Sequence, residues 1–559
     1  MKYMKFVFVS GGVLSGLGKG ITASALALLL KSRGIKVTLM KCDMYLNIDA
    51  GTMNPMEHGE VFVTHDGLET DQDLGHYERF TGLTLNKSNY LTNGQIYKVV
   101  LDKERALGYG GICVQPYHHI PPEIIKRWKE AGEKNKADVV IVEFGGTVGE
   151  YEGLLFYEAY RRLKMENPSG VCLIHVGYLP APNHIGELKS KPMQQSIINL
   201  NSLGVQPDFI VGRAENNIDL KRKEKIAFIA GLPIENIISN PNLSSVYLLP
   251  DKLEKEKLAE KVIKKLRLGT GKLNLSKWHA LIKKIEKANK ETNIAIVGKY
   301  QKTGDYILED TYVSVIEALK HAGFELGIKP KITWIDSEDF DYKELKNFDG
   351  IIVPQGWGKR GVEGKIKAVK FARVNKIPYL GLCFGMQMAV IEFARTVLAM
   401  KDANTTEADP KTNCPVIHVM NNQKEYLLNK QYGGTIRLGA WPCKLTGGTI
   451  LEKAYKKYGM DKDAPWFVSN TKHEARSTKT DIVVYERHRH RYEFNNKFKE
   501  EFEKNGFIIS GTSPDGTLVE AIELENHPFF VGTQFHPEYI SRPLSPHPIF
   551  LAFVKACKK

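Results

Sequence analysis

No two of the seven cysteines form a Cys-x-x-Cys pair; they stand singly at positions 42, 113, 172, 383, 414, 443 and 557. That scatter argues against a zinc site and against a disulfide framework, so reduced thiols in the cytosol are expected. Long apolar runs are also missing: none reaches the roughly 18 residues that a membrane-spanning helix needs. The first residues, Met1-Lys2-Tyr3-Met4-Lys5, run directly into a strand-like stretch and lack a cleavable signal pattern, which again points to the cytoplasm. Internal repeats and low-complexity tracts are absent. So is any Lys/Arg run interleaved with aromatics, which weakens a nucleic-acid reading of the formal charge of +14. Much of the excess falls in Lys- and Glu-rich helical runs, 252–265 and 283–290, that read as solvated faces. The expected partners are anionic small molecules, not nucleic acid or membrane.

What is present is a chain too long for one ordinary domain, with 559 residues, 42% of them hydrophobic and 25% charged. Residues 6–20 run from an apolar strand through Ser10-Gly11-Gly12-Val13-Leu14-Ser15-Gly16-Leu17-Gly18-Lys19-Gly20 into a helical stretch over 21–30. Strand, glycine loop, lysine and helix form the layout of a phosphate-binding loop. The spacing departs from the common pattern. Five residues separate Gly12 and Gly18, and Gly20 stands where a Ser or Thr would ligate Mg²⁺. Strand-like runs at 5–9, 36–41, 111–114, 138–143, 171–176 and 208–211 alternate with helical segments and imply a parallel sheet. Residues 271–291 read as a linker containing a charged helix. A fresh strand at 293–298 opens a second α/β domain, continued at 350–354 and 378–382. The expected fold is therefore two α/β domains, each a mostly parallel sheet flanked by helices, spanning 1–270 and 292–559.

The second domain carries Gly381-Leu382-Cys383-Phe384-Gly385-Met386-Gln387 between a strand and a helix. Such a turn holds a nucleophile in a strained, exposed position, with the helix N-terminus lowering the thiol pKa. Far downstream lies Gln534-Phe535-His536-Pro537-Glu538. If that segment is extended, His536 and Glu538 point the same way, and Cys383, His536 and Glu538 form a nucleophile, base and orienter. This half resembles the class I glutamine amidotransferases. The resemblance implies a glutamyl thioester on Cys383, proton donation by His536 to the departing ammonia, and oxyanion donors at Gly356 and Phe384. The glutamine pocket would draw on Gly356, Phe384, Gly385, Met386, Gln387, Glu407 and Arg491. Gln355 stands where the family often has glycine.

The first half holds Lys41-Cys42-Asp43-Met44-Tyr45-Leu46-Asn47, Gly51-Thr52-Met53-Asn54-Pro55, Glu69-Thr70-Asp71-Gln72-Asp73-Leu74-Gly75-His76, Val142-Glu143-Phe144-Gly145-Gly146-Thr147 and Gly186-Glu187-Leu188-Lys189-Ser190-Lys191-Pro192. With Glu486-Arg487-His488-Arg489-His490-Arg491 in the second half, these resemble the CTP synthase family over nearly the whole chain, in order. The resemblance implies ATP-dependent amination of UTP to CTP with ammonia from glutamine. ATP would be held by Ser15, Gly16, Leu17, Gly18, Lys19, Gly20, Ile21, Lys41 and Asp73, and Mg²⁺ by Asp73 and Glu143. UTP, or inhibitory CTP, would meet Ser15, Glu150, Tyr151, Glu152, Lys189, Ser190, Lys191, Pro192, Met193, Gln194 and Lys225. Lys189 and Lys191 could face one triphosphate from an extended loop, and Met193 replaces a family threonine whose hydroxyl could reach it. The family further implies a homotetramer, with filaments left open, and activation by GTP linked to a mobile lid at 433–437. Residues 441–485 are longer than the family's usual connection. A cobyrinic acid amidase is the alternative amidotransferase, disfavoured by the 186–191 motif.

Overall fold

The computed structural model describes residues 4–182, 186–299, 302–303, 306–307, 309–420, 423–429, 433–459, 464–466 and 482–558. Two compact units emerge: Met1–Asp49 with Asp73–Ser276, and Ala50–Gln72 with Lys277–Lys559. A stretch of 23 residues from the N-terminal part of the sequence thus folds with the C-terminal part, which the linear reading of the sequence did not anticipate.

The first unit is built on seven parallel strands: β1 (Lys5–Gly11), β2 (Val37–Asp43), β3 (Tyr90–Thr92), β4 (Val139–Phe144), β5 (Val171–Leu179), β6 (Phe209–Ala214) and β7 (Ile237–Pro241). Their order is β3-β2-β4-β1-β5-β6-β7. β1, β2 and β4 are buried along almost their whole length, as expected of parallel strands covered on both faces. Helix α1 (Lys19–Lys31) follows β1, and α2 (Asp73–Thr81) packs against it. The strand expected at 111–114 is not there. Gly111, Ile112 and Cys113 are exposed and irregular, because they precede a long helix, Pro116–Lys134, whose own apolar face supplies the burial.

The second unit contains β8 (Lys290–Gly298), β9 (Ile328–Asp336), β10 (Gly350–Val353), β11 (Tyr379–Leu382), β12 (Arg437–Leu445), β13 (Val483–His490), β14 (Phe507–Thr512), β15 (Val519–Leu524) and β16 (Phe530–Thr533). Their order is β9-β8-β10-β11-β16-β15-β14-β12-β13. The five strands from β9 to β16 are parallel; the remaining four continue antiparallel. The segment Ala50–Gln72 adds a small antiparallel pair, Val61–Val63 with Glu69–Asp71. The unexplained stretch 441–485 lies partly outside the described residues. Its described part includes a helix, Ile450–Tyr458, and Trp466, whose buried indole donates to Gly459 O at 3.0 Å.

Candidate active sites

In the first unit the candidate side chains gather at the carboxyl ends of β1, β2 and β4, where open parallel sheets commonly bind ligands. Gly18, at φ 82°, caps α1 in the left-handed region that glycine tolerates. Lys19 opens the helix, is buried, and donates to Gly146 O at 2.6 Å. Burial holds its pKa below the ordinary lysine value.

Lys41 and Glu143 are register partners on the adjacent strands β2 and β4. The Lys41 ammonium donates to Glu143 Oε1 at 3.1 Å and to Asp73 Oδ2, and Tyr77 OH donates to Glu143 Oε2. Burial, and then the neighbouring Asp73 charge, push the Glu143 carboxyl up to about 7. The absence of a hydroxyl residue at position 20 now has a steric reason. A Cβ on Gly20 would lie 2.2 Å from Asp73 Oδ1 and 3.1 Å from Glu143 Oε2. Two carboxylates converging on one point at the edge of the glycine loop fit a hard divalent cation.

Ser15, Gly16, Glu150, Tyr151, Glu152, Lys191 and Lys225 are exposed, whereas Leu17 is buried and Ile21 half-buried. Thr147 Oγ1 donates to Glu150 Oε1 at 2.7 Å. The extended loop proposed for Lys189 and Lys191 is not formed. Lys191, followed by Pro192, begins helix α3 (Lys191–Ser202), while Lys189 pairs with Glu187. Ser190 accepts a hydrogen bond from Gln194 Nε2 at 3.0 Å. Met193 is a correction: its side chain is fully buried among Leu179, Ile197, Ile210 and Ile226, tight against Gly177. One helical turn past Ser190, the position points into the core.

In the second unit, Cys383 stands between β11 and α4 (Phe384–Thr396) with φ 51° and ψ −99°. This is a strained conformation for a residue with a side chain, and strain of that kind clusters at functional sites. The flanking glycines permit it. A Cβ on Gly385 would lie 1.9 Å from Val353 O, and one on Gly381 2.8 Å from the Gly385 carbonyl carbon. Met386, the next residue of α4, is fully buried in the core. Phe384, as the first helical residue, offers an N–H that has no intrahelical acceptor. Gly356 also has little room: a Cβ there would lie 2.9 Å from Lys299 Cε.

β16 is the parallel neighbour of β11, and its continuation brings in the base. His536 Nδ1 lies 2.7 Å from Glu538 Oε1. The pair is not made by an extended segment, as the sequence suggested, but across a short 3₁₀ turn, Pro537–Tyr539. Among the described residues His536 Nε2 has no nitrogen or oxygen partner and is left to the Cys383 sulfur. Burial works against the imidazolium, but the Glu538 and Cys383 charges outweigh it and raise the His536 pKa to about 10.

A pocket beside the thiol is lined by Gly356, Trp357, Cys383, Phe384, Gln387, Glu407, His490, Arg491 and Tyr492. Glu407 Oε1 accepts from Gly358 N at 2.6 Å, and burial raises its pKa. Arg491 donates to Gln423 Oε1 at 3.0 Å and Thr435 Oγ1 at 2.8 Å. An acid and a guanidinium in one small pocket suit the two ends of an amino acid. Gln387 Nε2 donates to Tyr492 O at 3.0 Å. In the 433–437 segment Arg437 is tied down by Glu520 at 2.6 Å and Glu493 at 3.4 Å.

The sequence reading overlooked Gln534, whose Nε2 lies 3.6 Å from Cys383 Sγ, and Arg489, whose carbonyl lies 3.8 Å from the same sulfur. Neither is a residue type that signals such a role. Tyr77 was missed as well, although it sits one helical turn after Asp73 in α2.

A strained cysteine at a strand-to-helix turn, a carboxylate-oriented histidine and a small pocket holding an acid and a guanidinium are the arrangement expected of a class I glutamine amidotransferase, here in one chain with a lysine-bearing glycine loop. Comparison with known proteins agrees. Residues 5–268 match the CTP synthase N-terminus family and 307–556 the class-I glutamine amidotransferase family. The chain is 49% identical over 557 residues to a CTP synthase of Caldanaerobacter subterraneus, covering 99% of this chain and 98% of the relative. It is 49% identical over 560 residues to a CTP synthase of Carboxydothermus hydrogenoformans, covering 99% of each. The Trypanosoma brucei glutaminase domain solved with bound acivicin is 36% identical, with a TM-score of 0.40, covering 48% of this chain and 93% of that one. The chain belongs to the CTP synthase family.

Proposed function

We propose that the enzyme aminates UTP to CTP at the expense of ATP, drawing ammonia from glutamine. The observation that carries this reading is whole-length identity of 49% to CTP synthases, joined to an intact Cys383, His536 and Glu538 arrangement. The Cys383 thiolate attacks the side-chain amide carbon of glutamine, and the oxyanion is met by the N–H groups of Phe384 and Gly356. His536, held as imidazolium by Glu538, gives its proton to the departing ammonia. Water then cleaves the glutamyl thioester. Glu407 would hold the substrate amine and Arg491 its carboxylate.

At the other site Lys19 and Lys41 would hold and neutralise the ATP phosphates. Transfer of the γ-phosphoryl group to O4 of UTP makes a good leaving group. Ammonia adds at C4 and phosphate departs, giving CTP. Asp73 and Glu143 would hold Mg²⁺, which supplies charge neutralisation for the phosphates when bound. Gly18, Gly20 and the backbone of 15–21 would cradle ATP, while Lys189, Lys191 and Lys225 would meet the UTP triphosphate. Homotetramer assembly, GTP activation, CTP inhibition and a cytoplasmic location belong to the same proposal. Among the described residues no helix is long and apolar enough to cross a membrane.

The test is the absorbance change on conversion of UTP to CTP, with glutamine or ammonia as donor and with or without GTP. Formation of CTP from both donors is expected. No UTP-dependent product would overturn the reading.

A further inference from the structure

Tyr539 is fully buried three residues after the base, and nothing in the proposed chemistry uses it. Its ring lies parallel to the His536 imidazole, with centroids 4.8 Å apart and planes 11° apart. Its hydroxyl donates to Val61 O at 2.9 Å. Phe62 meets the same phenol ring edge-on at 5.3 Å. Val63 O accepts from Arg487 Nη1 at 2.9 Å, and Arg487 O accepts the His536 N–H at 2.8 Å. Three consecutive residues, Val61–Val63, therefore hold both the face of the imidazole and its backbone. The paired strand Glu69–Asp71 acts on the nucleophile's side. Glu69 accepts from Arg489 Nε at 2.8 Å, and Arg489 O lies beside Cys383 Sγ.

The hydrogen bond to Glu538 fixes one ring nitrogen but does not by itself set the tilt of the imidazole about that bond. A flat ring anchored at its far end removes the tilt, and parallel aromatic contact adds favourable dispersion. We propose that Tyr539 is a positioning residue for the His536 base, locked by the hairpin of residues 61–71, so that an early stretch of the sequence completes the glutaminase site. The proposal rests on the amidotransferase reading above.

The test uses full-length Tyr539→Leu and Tyr539→Phe. Wild-type glutamine hydrolysis that disappears in Cys383→Ala checks the amidotransferase reading by itself. For Tyr539→Leu, kcat of glutamine hydrolysis should fall by roughly 10- to 100-fold, the scale of a misplaced catalytic group. KM for glutamine and CTP formation from ammonia should stay at wild-type levels. Tyr539→Phe keeps the stack and loses only the bond to Val61, so it should recover to about three-fold below wild type. A Tyr539→Leu enzyme with wild-type kcat, a defect carried by KM, or no recovery in Tyr539→Phe would overturn the proposal. If Tyr539→Leu also loses the ammonia-dependent activity, it has misfolded and Tyr539→Phe decides. A three-fold lower kcat then supports the lock, and an unchanged kcat removes it.

Discussion

Asp73 Oδ1 occupies the space a side chain at position 20 would need: a Cβ on Gly20 would lie 2.2 Å from it. The glycine that weakens the phosphate-loop motif is thus the residue that admits the proposed metal ligands. In Gly20→Ala the carboxylate must move, and ammonia-dependent CTP formation should drop by about 100-fold. Glutamine hydrolysis assayed alone should persist. Near-normal ammonia-dependent synthesis would show that Asp73 need not sit there.

The two chemistries should separate by mutation. Cys383→Ala should abolish glutamine-dependent synthesis and spare the ammonia-dependent reaction, since only one site loses its nucleophile. Asp73→Asn and Glu143→Gln should abolish synthesis from either donor. Rates of CTP formation with each nitrogen source decide both.

Glu538→Gln should lower glutamine hydrolysis by roughly 10²- to 10⁴-fold, because the base loses its orienting charge. It also removes the main source of the raised His536 pKa of about 10. A base with a raised folded-state pKa contributes stability that is complete below its unfolded value near 6.5 and disappears as pH climbs through about 10. Wild type should therefore melt above Glu538→Gln at neutral pH, and the gap should close as pH approaches 10. A gap constant over that range would contradict the assignment.

Met193→Thr should destabilise the protein without improving nucleotide binding. The side chain is fully buried in an apolar cluster, and the exchange removes volume while burying a hydroxyl. A loss of about 2–3 kcal/mol in denaturant unfolding is expected, with an unchanged UTP half-saturation. Tighter UTP binding would show instead that the position faces the nucleotide.

The sequence revealed features that depend on local chemistry. The apolar strands of the first unit, the glycine loop ending in Lys19, and the cysteine between two glycines were all visible as short patterns. The His536 and Glu538 pair was recognisable, but its geometry was not. Proline and the following turn, not strand alternation, bring the two groups together. Features set by long-range packing stayed hidden. Met193 reads as a substituted nucleotide contact until α3 places it inside. The run at 111–114 has strand-like composition but no sheet edge to join. Residues 50–72 look like part of the first domain because only tertiary contacts assign them to the second unit.

That assignment has a consequence for biosynthesis. Arg487 meets Val63 across 424 residues of chain, and Arg489 meets Glu69 across 420. At 5–20 residues per second, translation takes roughly 20–85 s to span such an interval. During that time Val61, Phe62 and Val63 have left the ribosome while Tyr539 and Arg487 do not yet exist. The glutaminase half therefore cannot finish its active site co-translationally from its own contiguous sequence. Capture of an early segment by a late one pairs residues more than 400 positions apart, and pairing of such high contact order is expected to form slowly. Refolding monitored by recovery of glutamine hydrolysis should lag behind recovery of helical signal.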